Sequence, residues 1–395
     1  MAKHKLNSFH PYSRSFLNII KKIKFYGFSW AINRSIEEFF TPSTAVGKTL
    51  NGCIYPFFFI LLFPARLFCL VFSSIFMRSH KTLYLFYDLS CSPITYDFFW
   101  ALAEAESRRI RMKLKKIEVI IVPGRDQGLR REIPAYDFAV NREKRCKRIF
   151  DILLPAVKLF PNCKGVSICQ NRLEGFINYL FFSWNIAPGN YNPIFPIPHQ
   201  TFQAVNSLRH INGLPIKVSE DMLSYVKNLL PAQSKGRKLI VITLREYSYL
   251  RKRNSNTYAW IKFAKNLDKK KYFPIFIRDI DRRENSGTAF PKSLFTFDLA
   301  STKTLARAAL YQLGYLNLGV SSGPFILCWL NSKTKYLMFN LSKDMKRLQS
   351  QTPFFRVGGS LAFAKNYQNW VWEEDKFEII NKKFKEICDQ IEGKK

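Results

Sequence analysis

Two serines and a glycine stand at the end of an apolar run, where a predicted strand turns into a predicted helix. Residues 315–320 are followed by Ser321, Ser322 and Gly323, and Pro324 suits the first helical position because its missing N–H costs nothing there. Such a turn presents backbone N–H groups and the positive end of a helix dipole. These residues therefore predict the binding of an anion.

A second polar group follows another apolar run, residues 238–244. Arg245 comes directly after this run, and Arg253, Asn254 and Ser255 follow in the next loop. A strand-end arginine is positioned by its sheet and contacts two phosphate oxygens at once. Because ligands of parallel sheets bind at the carboxyl ends of the strands, we expect both groups to form one site for a phosphorylated ligand.

Acidic residues at strand ends have two roles open to them. Asp88 directly follows the predicted strand 83–87, where it is either a general base or part of an Asx turn. Asp279 and Asp281 are spaced like a metal-binding D-x-D element, but the arginines around them favour a cap and ion pairs. An ion pair with Asp279 or Glu246 is the alternative role of Arg245.

Gly319 to Gly323 also match the G-x-S-x-G nucleophile elbow of serine hydrolases. The elbow requires a histidine later in the chain, whereas every histidine precedes Ser321. The chain order therefore does not favour a hydrolase. No P-loop and no G-x-G-x-x-G is present, which argues against a P-loop NTPase and an ordinary NAD enzyme.

Charge and cysteine content limit the possible partners. The formal charge of +33 on 395 residues indicates an anionic partner, although abundant Lys, Asn, Ile and Phe also fit an AT-rich genome. The basic residues are spread along the chain and no RNA- or DNA-binding motif occurs, so nucleic acid is not the expected partner. The eight cysteines lack metal-ligand spacing and predict reduced, mostly buried thiols in the cytosol.

The N-terminal region has the composition of a membrane-associated segment. Residues 53–77 are almost wholly apolar, with Pro64 and Arg66 near the middle, and residues 16–40 mix apolar and lysine residues as an interfacial helix does. We expect a monotopic anchor on an anionic membrane surface, in preference to a span. A buried helix of a soluble fold is the remaining alternative.

From residue 82 onward, strands alternate with helices, which predicts an α/β fold of two Rossmann-like domains with parallel sheets. The predicted organisation is a membrane-associated segment at 1–79, a first domain at 80–230 that ends in a proline-rich connection, and a second domain at 231–395. We predict strands at 83–87, 117–122, 166–169, 238–244, 272–277, 294–297, 316–320 and 335–339, and helices at 93–116, 142–160, 301–313 and 372–391, with another from residue 255.

Four sequence features together resemble the GT-B glycosyltransferases, in particular bacterial surface-polysaccharide proteins of that type. They are residues 87–97 (YDLSCSPITYD), 122–124 (VPG), 243–246 (TLRE) with 253–255 (RNS), and 319–324 (GVSSGP). The resemblance covers about residues 80–375. It implies two Rossmann-like domains and a nucleotide sugar bound to the second one by Arg245, Arg253 and the turn 321–323. The Glu-x-seven-Glu pattern of many retaining members is absent.

The expected function is transfer of a sugar from a nucleotide-sugar donor to a lipid-linked or surface-polysaccharide acceptor, at the cytoplasmic face of the inner membrane. No metal and no cofactor besides the donor is expected, and Asp88 is the predicted base. A catalytically inactive GT-B scaffold in polysaccharide assembly is the alternative. A nucleotide-sugar epimerase is a third reading, for which a membrane anchor has no evident use.

Overall fold

A computed structural model of the protein describes residues 45–76, 81–199, 201–209, 213–279, 290–341 and 358–393. Several sequence predictions fall outside these ranges. They concern the interfacial stretch 16–40, the second acid of the D-x-D pair, Asp281, and four of the five histidines, His4, His10, His80 and His210.

The strands form two parallel sheets, one in each half of the chain. The first sheet has the order β3-β2-β1-β4 and contains β1 (Thr82–Asp88), β2 (Lys116–Val122), β3 (Cys163–Ile168) and β4 (Ile186–Ala187). The second has the order β10-β9-β8-β5-β6-β7 and contains β5 (Lys238–Thr243), β6 (Tyr272–Ile277), β7 (Phe295–Thr296), β8 (Leu316–Val320), β9 (Tyr336–Phe339) and β10 (Gln368–Trp370). The predicted α/β fold is confirmed.

Helices connect and cover the strands. In the first half they are α1 (Ala45–Phe76), α2 (Phe98–Arg111), α3 (Pro134–Ala139), α4 (Arg142–Arg148), α5 (Leu154–Val157) and α6 (Arg172–Phe182). In the connection and the second half they are α7 (Thr201–Leu208), α8 (Glu220–Asn228), α9 (Thr257–Asn266), α10 (Asp298–Thr302), α11 (Thr304–Leu313), α12 (Ile326–Trp329) and α13 (Phe377–Ile391). Shorter turns are the π-helical Ile149–Leu153 and the 3-10 turns Ala232–Ser234, Arg251–Arg253 and Gly323–Phe325.

Four helix predictions differ from the structure for local reasons. The helix predicted over 301–313 is divided into α10 and α11, because Lys303 between them is extended. The helix predicted from residue 93 begins at Phe98, because residues 95–99 first form turns in which the Phe98 and Phe99 backbone N–H groups donate to carbonyl oxygens three residues back. The helix predicted over 142–160 is divided into α4, a π-helical turn and α5, with Pro155 near the start of α5. The last helix, predicted from residue 372, begins at Phe377, because Lys376 is extended and the Asp375 carboxylate before it accepts the Trp260 indole N–H at 2.8 Å.

One apolar core is shared by the two halves. Its buried side chains include Leu85 of β1 and Phe99 of α2 from the first half, and Ile275 of β6 and Tyr311 of α11 from the second. Polar contacts cross between the halves as well, since the hydroxyl of Thr304 donates to the carbonyl oxygen of Asp151 at 2.6 Å. The two sheets are therefore held together through the core.

The long helix α1 contacts the rest of the chain through only part of its surface. Arg66 Nε donates to Ser183 Oγ at 2.9 Å, and Phe72 packs edge-on against Phe181 with ring centroids 6.1 Å apart. Many other apolar side chains of α1 are 47–71% exposed, namely Phe57, Ile60, Leu61, Phe63, Leu67, Phe68, Val71 and Ile75. The segment is thus not a buried core helix. Among the described residues, no helix combines the length and apolarity that crossing a membrane requires.

All eight cysteines are free thiols. Only Cys169, Cys328 and Cys388 are buried, and Cys53 is exposed on α1, so the expectation of mostly buried thiols holds for fewer than half of them. The described part of the chain has no group of three or more His, Cys, Asp or Glu side chains that is arranged to hold a metal ion.

Gly319 of β8 has no room for a side chain. A Cβ atom there would lie 2.7 Å from both the Phe325 ring and the carbonyl oxygen of Thr243. We expect Gly319→Ala to lower the free energy of unfolding by about 1–3 kcal/mol, the usual cost of overpacking, in urea denaturation. Gly165→Ala in β3 is the control, because its Cβ would have only an ordinary contact of 3.6 Å with Glu118. Equal stability of the two variants would contradict this account.

Candidate active site

The two strand ends singled out in the sequence lie side by side. β5 and β8 are hydrogen-bonded neighbours, and Thr243 at the end of β5 is in register with Gly319 of β8. The chain therefore leaves the sheet at the same edge into the loop 245–255 and into the turn 321–323. The predicted convergence of the two polar groups is present.

Arg253 and Ser321 form the direct contact between these groups. Arg253 Nη2 donates to the carbonyl oxygen of Ser321 at 3.2 Å and to its hydroxyl at 3.3 Å. The neighbouring Ser322 hydroxyl is buried and has no hydrogen-bond partner among the described residues. A guanidinium and two hydroxyls thus meet at the carboxyl edge of the sheet, where the sequence predicts a phosphate.

Arg245 is turned into its own loop. The side chain is 7% exposed and donates to the carbonyl oxygens of Tyr249 at 2.8 Å and Leu250 at 3.1 Å, and to the side-chain oxygen of Asn254. The Ser255 hydroxyl accepts from the Arg245 backbone N–H at 2.8 Å. Arg245, Asn254 and Ser255 therefore shape the loop that carries Arg253. Direct phosphate binding by these three stays a prediction that this geometry does not favour.

The acidic residues near this edge are used as caps and ion pairs. Glu246 accepts two hydrogen bonds from Arg278, at 2.7 and 2.9 Å. Asp279 accepts the Glu246 backbone N–H at 2.7 Å, and burial raises the pKa of its carboxyl. The cap predicted as the alternative to a metal-binding D-x-D element is therefore what the structure shows for Asp279.

The turn at residues 321–323 opens toward the first half of the chain. Gly323 faces the side chain of Tyr96, since a Cβ at Gly323 would lie 3.4 Å from the Tyr96 Cβ. Pro324 follows as predicted, but the helix is short: a 3-10 turn over Gly323–Phe325 precedes the four residues of α12. The predicted N-cap at Ser322 and helix start are present, but the helical segment is so short that few aligned peptide groups contribute to its dipole.

Asp88 is held by an ion pair that the sequence did not indicate. Arg172 binds both carboxylate oxygens, at 2.9 and 3.0 Å, and the Tyr191 hydroxyl donates to one of them at 3.0 Å. Ser90 adds its backbone N–H at 2.9 Å and its hydroxyl at 2.6 Å, which is the predicted Asx turn. Asp88 is 2% exposed. Its role as a base stays a prediction that this arrangement does not favour.

The loop after β4 closes over this ion pair. The carbonyl oxygen of Pro193 accepts from Arg172 at 2.7 Å, and that of Ile194 accepts from Arg125 at 2.7 Å. Burial, together with the nearby charge of Arg172, lowers the pKa of Arg125 to about 10. Burial and the Asp88 carboxylate raise the pKa of Tyr191 well above its usual range, so Tyr191 stays a hydrogen-bond donor.

The only histidine among the described residues lies in the first half of the chain. His199 Nδ1 is 3.3 Å from a carboxylate oxygen of Glu104, and its ring stacks on Tyr87 with centroids 6.0 Å apart. His199 is therefore placed by a carboxylate and an aromatic ring of the first half.

Two parallel sheets share one apolar core, and polar loops lie at the carboxyl ends of their strands. The structure is similar to the ADP-heptose LPS heptosyltransferase II of E. coli, with a TM-score of 0.50 and 12% identity over 79% of this chain and 99% of that one. A family 9 glycosyl transferase from Veillonella parvula DSM 2008 has a TM-score of 0.43 and 12% identity over 78% and 97%. No model of a known protein family and no curated protein matches the sequence. The GT-B resemblance is confirmed as a resemblance of fold.

The ion pair of Asp88 gives a test that separates a structural role from a catalytic one. We expect Asp88→Asn to lower the free energy of unfolding by about 2–4 kcal/mol, because it leaves Arg172 without its charge partner. Chemical denaturation measures this loss. Asp97→Asn is the control, because the Asp97 carboxylate lies on the surface. An Asp88→Asn protein that keeps full stability and loses sugar transfer would identify Asp88 as the base.

Proposed function

We propose that this protein is a glycosyltransferase that moves a sugar from a nucleotide-sugar donor to a lipid-linked or surface-polysaccharide acceptor at the cytoplasmic face of the inner membrane. The fold supports the class of reaction, since it is shared with a protein whose name gives ADP-heptose and LPS. Neither donor nor acceptor is carried over from that protein.

The single observation that carries the proposal is the contact between Arg253 and Ser321 beside the buried Ser322 hydroxyl. Sugar transfer breaks the bond between the anomeric carbon and the donor diphosphate while the acceptor hydroxyl attacks that carbon. The leaving diphosphate gains negative charge. A guanidinium and fixed hydrogen-bond donors stabilise such charge without a metal ion, and Arg253, Ser322 and the Gly323 backbone N–H are placed to do so.

The acceptor is assigned to the first half of the chain. Tyr96 lies opposite Gly323, so a diphosphate at the turn 321–323 would face the loop 88–97. The acceptor hydroxyl must lose its proton during attack. Asp88 remains the sequence-based candidate for accepting it, directly or after release from Arg172, and the Asp88→Asn comparison decides whether it does.

Membrane association is part of the proposal and rests on α1. The exposed apolar side chains on this helix bring a large hydrophobic area into contact with water. We assign this surface to the membrane interface, as a monotopic anchor with the rest of the chain in the cytosol. Nucleotide sugars and lipid-linked acceptors meet there.

Nucleotide binding tests the site directly. We expect Arg253→Ala to weaken nucleoside diphosphate binding by about 1.5–3 kcal/mol in calorimetry, the range for a hydrogen bond to a charged group. Gly323→Val should also weaken it, since a branched side chain narrows the space facing Tyr96, whereas Ser321→Ala should change it little. Arg251→Ala is the control, because Arg251 is exposed on the same 3-10 turn.

The same measurement separates the enzyme from the alternatives. An inactive scaffold predicts no heat when the wild-type protein is titrated with nucleoside diphosphates or nucleotide sugars. A serine hydrolase likewise predicts no nucleotide binding, and predicts instead that Ser321→Ala abolishes its activity.

The anchor is tested by polar substitutions on the exposed side of α1. We expect the triple variant Phe57→Ser, Ile60→Ser, Phe68→Ser to lose most binding to neutral phosphatidylcholine vesicles in a sedimentation assay. Each substitution removes an apolar side chain that the proposal buries in the membrane interface. The pair Tyr225→Ser, Leu229→Ser in and beside α8 is the control, since both side chains are about half exposed. Unchanged sedimentation of the triple variant would remove α1 as the anchor.

A further inference from the structure

A second surface of the first half combines exposed apolar and basic side chains. Phe138 at the end of α3 is 95% exposed, and Ile133 just before that helix is 58% exposed. Arg142, Lys144 and Lys147 are exposed on α4, which begins three residues after α3 ends. We name these five residues the basic–aromatic surface.

The local structure holds this surface in a defined shape. Arg145 is 7% exposed and donates to the Asp137 carboxylate at 2.6 Å and to the carbonyl oxygen of Arg130 at 3.0 Å. Asn141 caps α4 by accepting the Lys144 backbone N–H at 3.0 Å. The two helices are thus fixed to each other, and their exposed side chains are presented by ordered backbone.

The charge of the segment is strongly positive. Two of its acids are already in ion pairs, Asp137 with Arg145 and Glu132 with Arg130 at 2.6 Å. Phe138 and Arg142 are four residues apart, so the chain alone keeps their Cα atoms within about 14 Å. An exposed phenyl ring that is close along the chain to exposed lysine and arginine residues fits the boundary between the acyl chains and the anionic headgroups of a membrane.

The surface is attached to the candidate active site through two aromatic contacts. Tyr136 of α3 packs edge-on against Tyr249 with centroids 5.3 Å apart, and Arg148 of α4 donates to the hydroxyl of Tyr247 at 3.2 Å. Tyr247 and Tyr249 belong to the loop 245–255, which carries Arg253. Whatever binds the basic–aromatic surface is therefore held beside the mouth of the site.

We infer that the basic–aromatic surface binds the anionic headgroups of a phospholipid membrane, with Phe138 and Ile133 inserted at the acyl boundary. Lysine and arginine residues near an anionic membrane each add affinity, and the exposed ring gains by leaving water. Lipid binding by this surface does not depend on the proposed function. Only its role does, which is to turn the site toward a lipid-linked acceptor. It adds to the α1 anchor a second membrane contact whose strength depends on negatively charged lipid, whereas the exposed side chains that carry the α1 anchor are apolar.

Vesicle sedimentation with the full chain tests the inference, using phosphatidylcholine vesicles with and without 30% phosphatidylglycerol. Lys144→Ser with Lys147→Ser should lower binding to the anionic vesicles about tenfold, and should leave binding to the neutral vesicles unchanged. Phe138→Ser should lower anionic-vesicle binding several-fold. Lys269→Ser with Lys270→Ser, and Tyr258→Ser, are matched controls, because they change exposed residues of the second half in the same way.

Three outcomes would overturn the inference. The first is that the Lys144 and Lys147 variant binds anionic vesicles as tightly as the wild type. The second is that the Lys269 and Lys270 control loses as much binding as that variant. The third is that the Lys144 and Lys147 variant keeps its lipid binding but loses affinity for a single-stranded oligonucleotide, which would indicate a nucleic-acid surface. Calorimetry with nucleoside diphosphates on the same variant keeps the two proposals apart. If the variants lose vesicle binding as expected but the wild-type protein binds no nucleotide, the proposed function is refuted and the assignment of this surface to the membrane is kept.

Discussion

The arrangement of this protein depends on an apolar core that both sheets share. Trp100 of α2 lies 5.9 Å from Trp329 of α12, ring to ring, and the backbone N–H of Ile216 in the connection donates to the carbonyl oxygen of Leu330 at 3.0 Å. Separating the halves would expose this apolar surface to water. A buried aromatic side chain keeps about 150–250 Å² of surface out of water, so the free energy of separation is unfavourable. The close approach of the turn 321–323 to the loop 88–97, where Gly323 faces Tyr96, is thereby fixed by packing.

Arginine side chains have a structural use throughout the chain, which bears on its charge of +33. Arg307 is 3% exposed and its Nε donates to the carbonyl oxygen of Ala300, while Arg172 and Arg245 bind the carbonyl oxygens of their surrounding loops. Loops that bend sharply leave carbonyl groups without strand or helix partners, and a guanidinium with five donors satisfies several of them at once. Part of the positive charge therefore holds loops in shape, and only the exposed remainder is available to anionic partners.

The sequence predicted the strands well because the physical signal was local. β5, β6 and β8 are apolar runs bounded by polar residues, and burial on both faces of a parallel sheet requires such runs. The short strands β4 and β10 were missed, because two or three residues carry no period. At the site, the sequence located the meeting of Arg253 with the turn 321–323, since strand order alone brings them to one edge. It missed the partner of Asp88, because Arg172 lies 84 positions away and nothing in either residue marks the pairing. It also gave Arg245 a ligand role, because a strand-end arginine looks the same in sequence whether it faces outward or folds back on its loop.

The shared core also has a consequence for how the chain behaves as a polymer. Helices α7 and α8 come from the connection, yet α7 packs on α2 of the first half and α8 packs on α11 of the second. Because the core between the sheets takes side chains from both halves, each half lacks part of its apolar covering when the other is absent. If the chain were divided at the connection into two polypeptides, each fragment would expose the apolar surface that the other half covers. The two fragments would regain a native-like form only by reassociating. The unit of folding is accordingly the pair of sheets, even though the unit of sequence pattern is the single sheet.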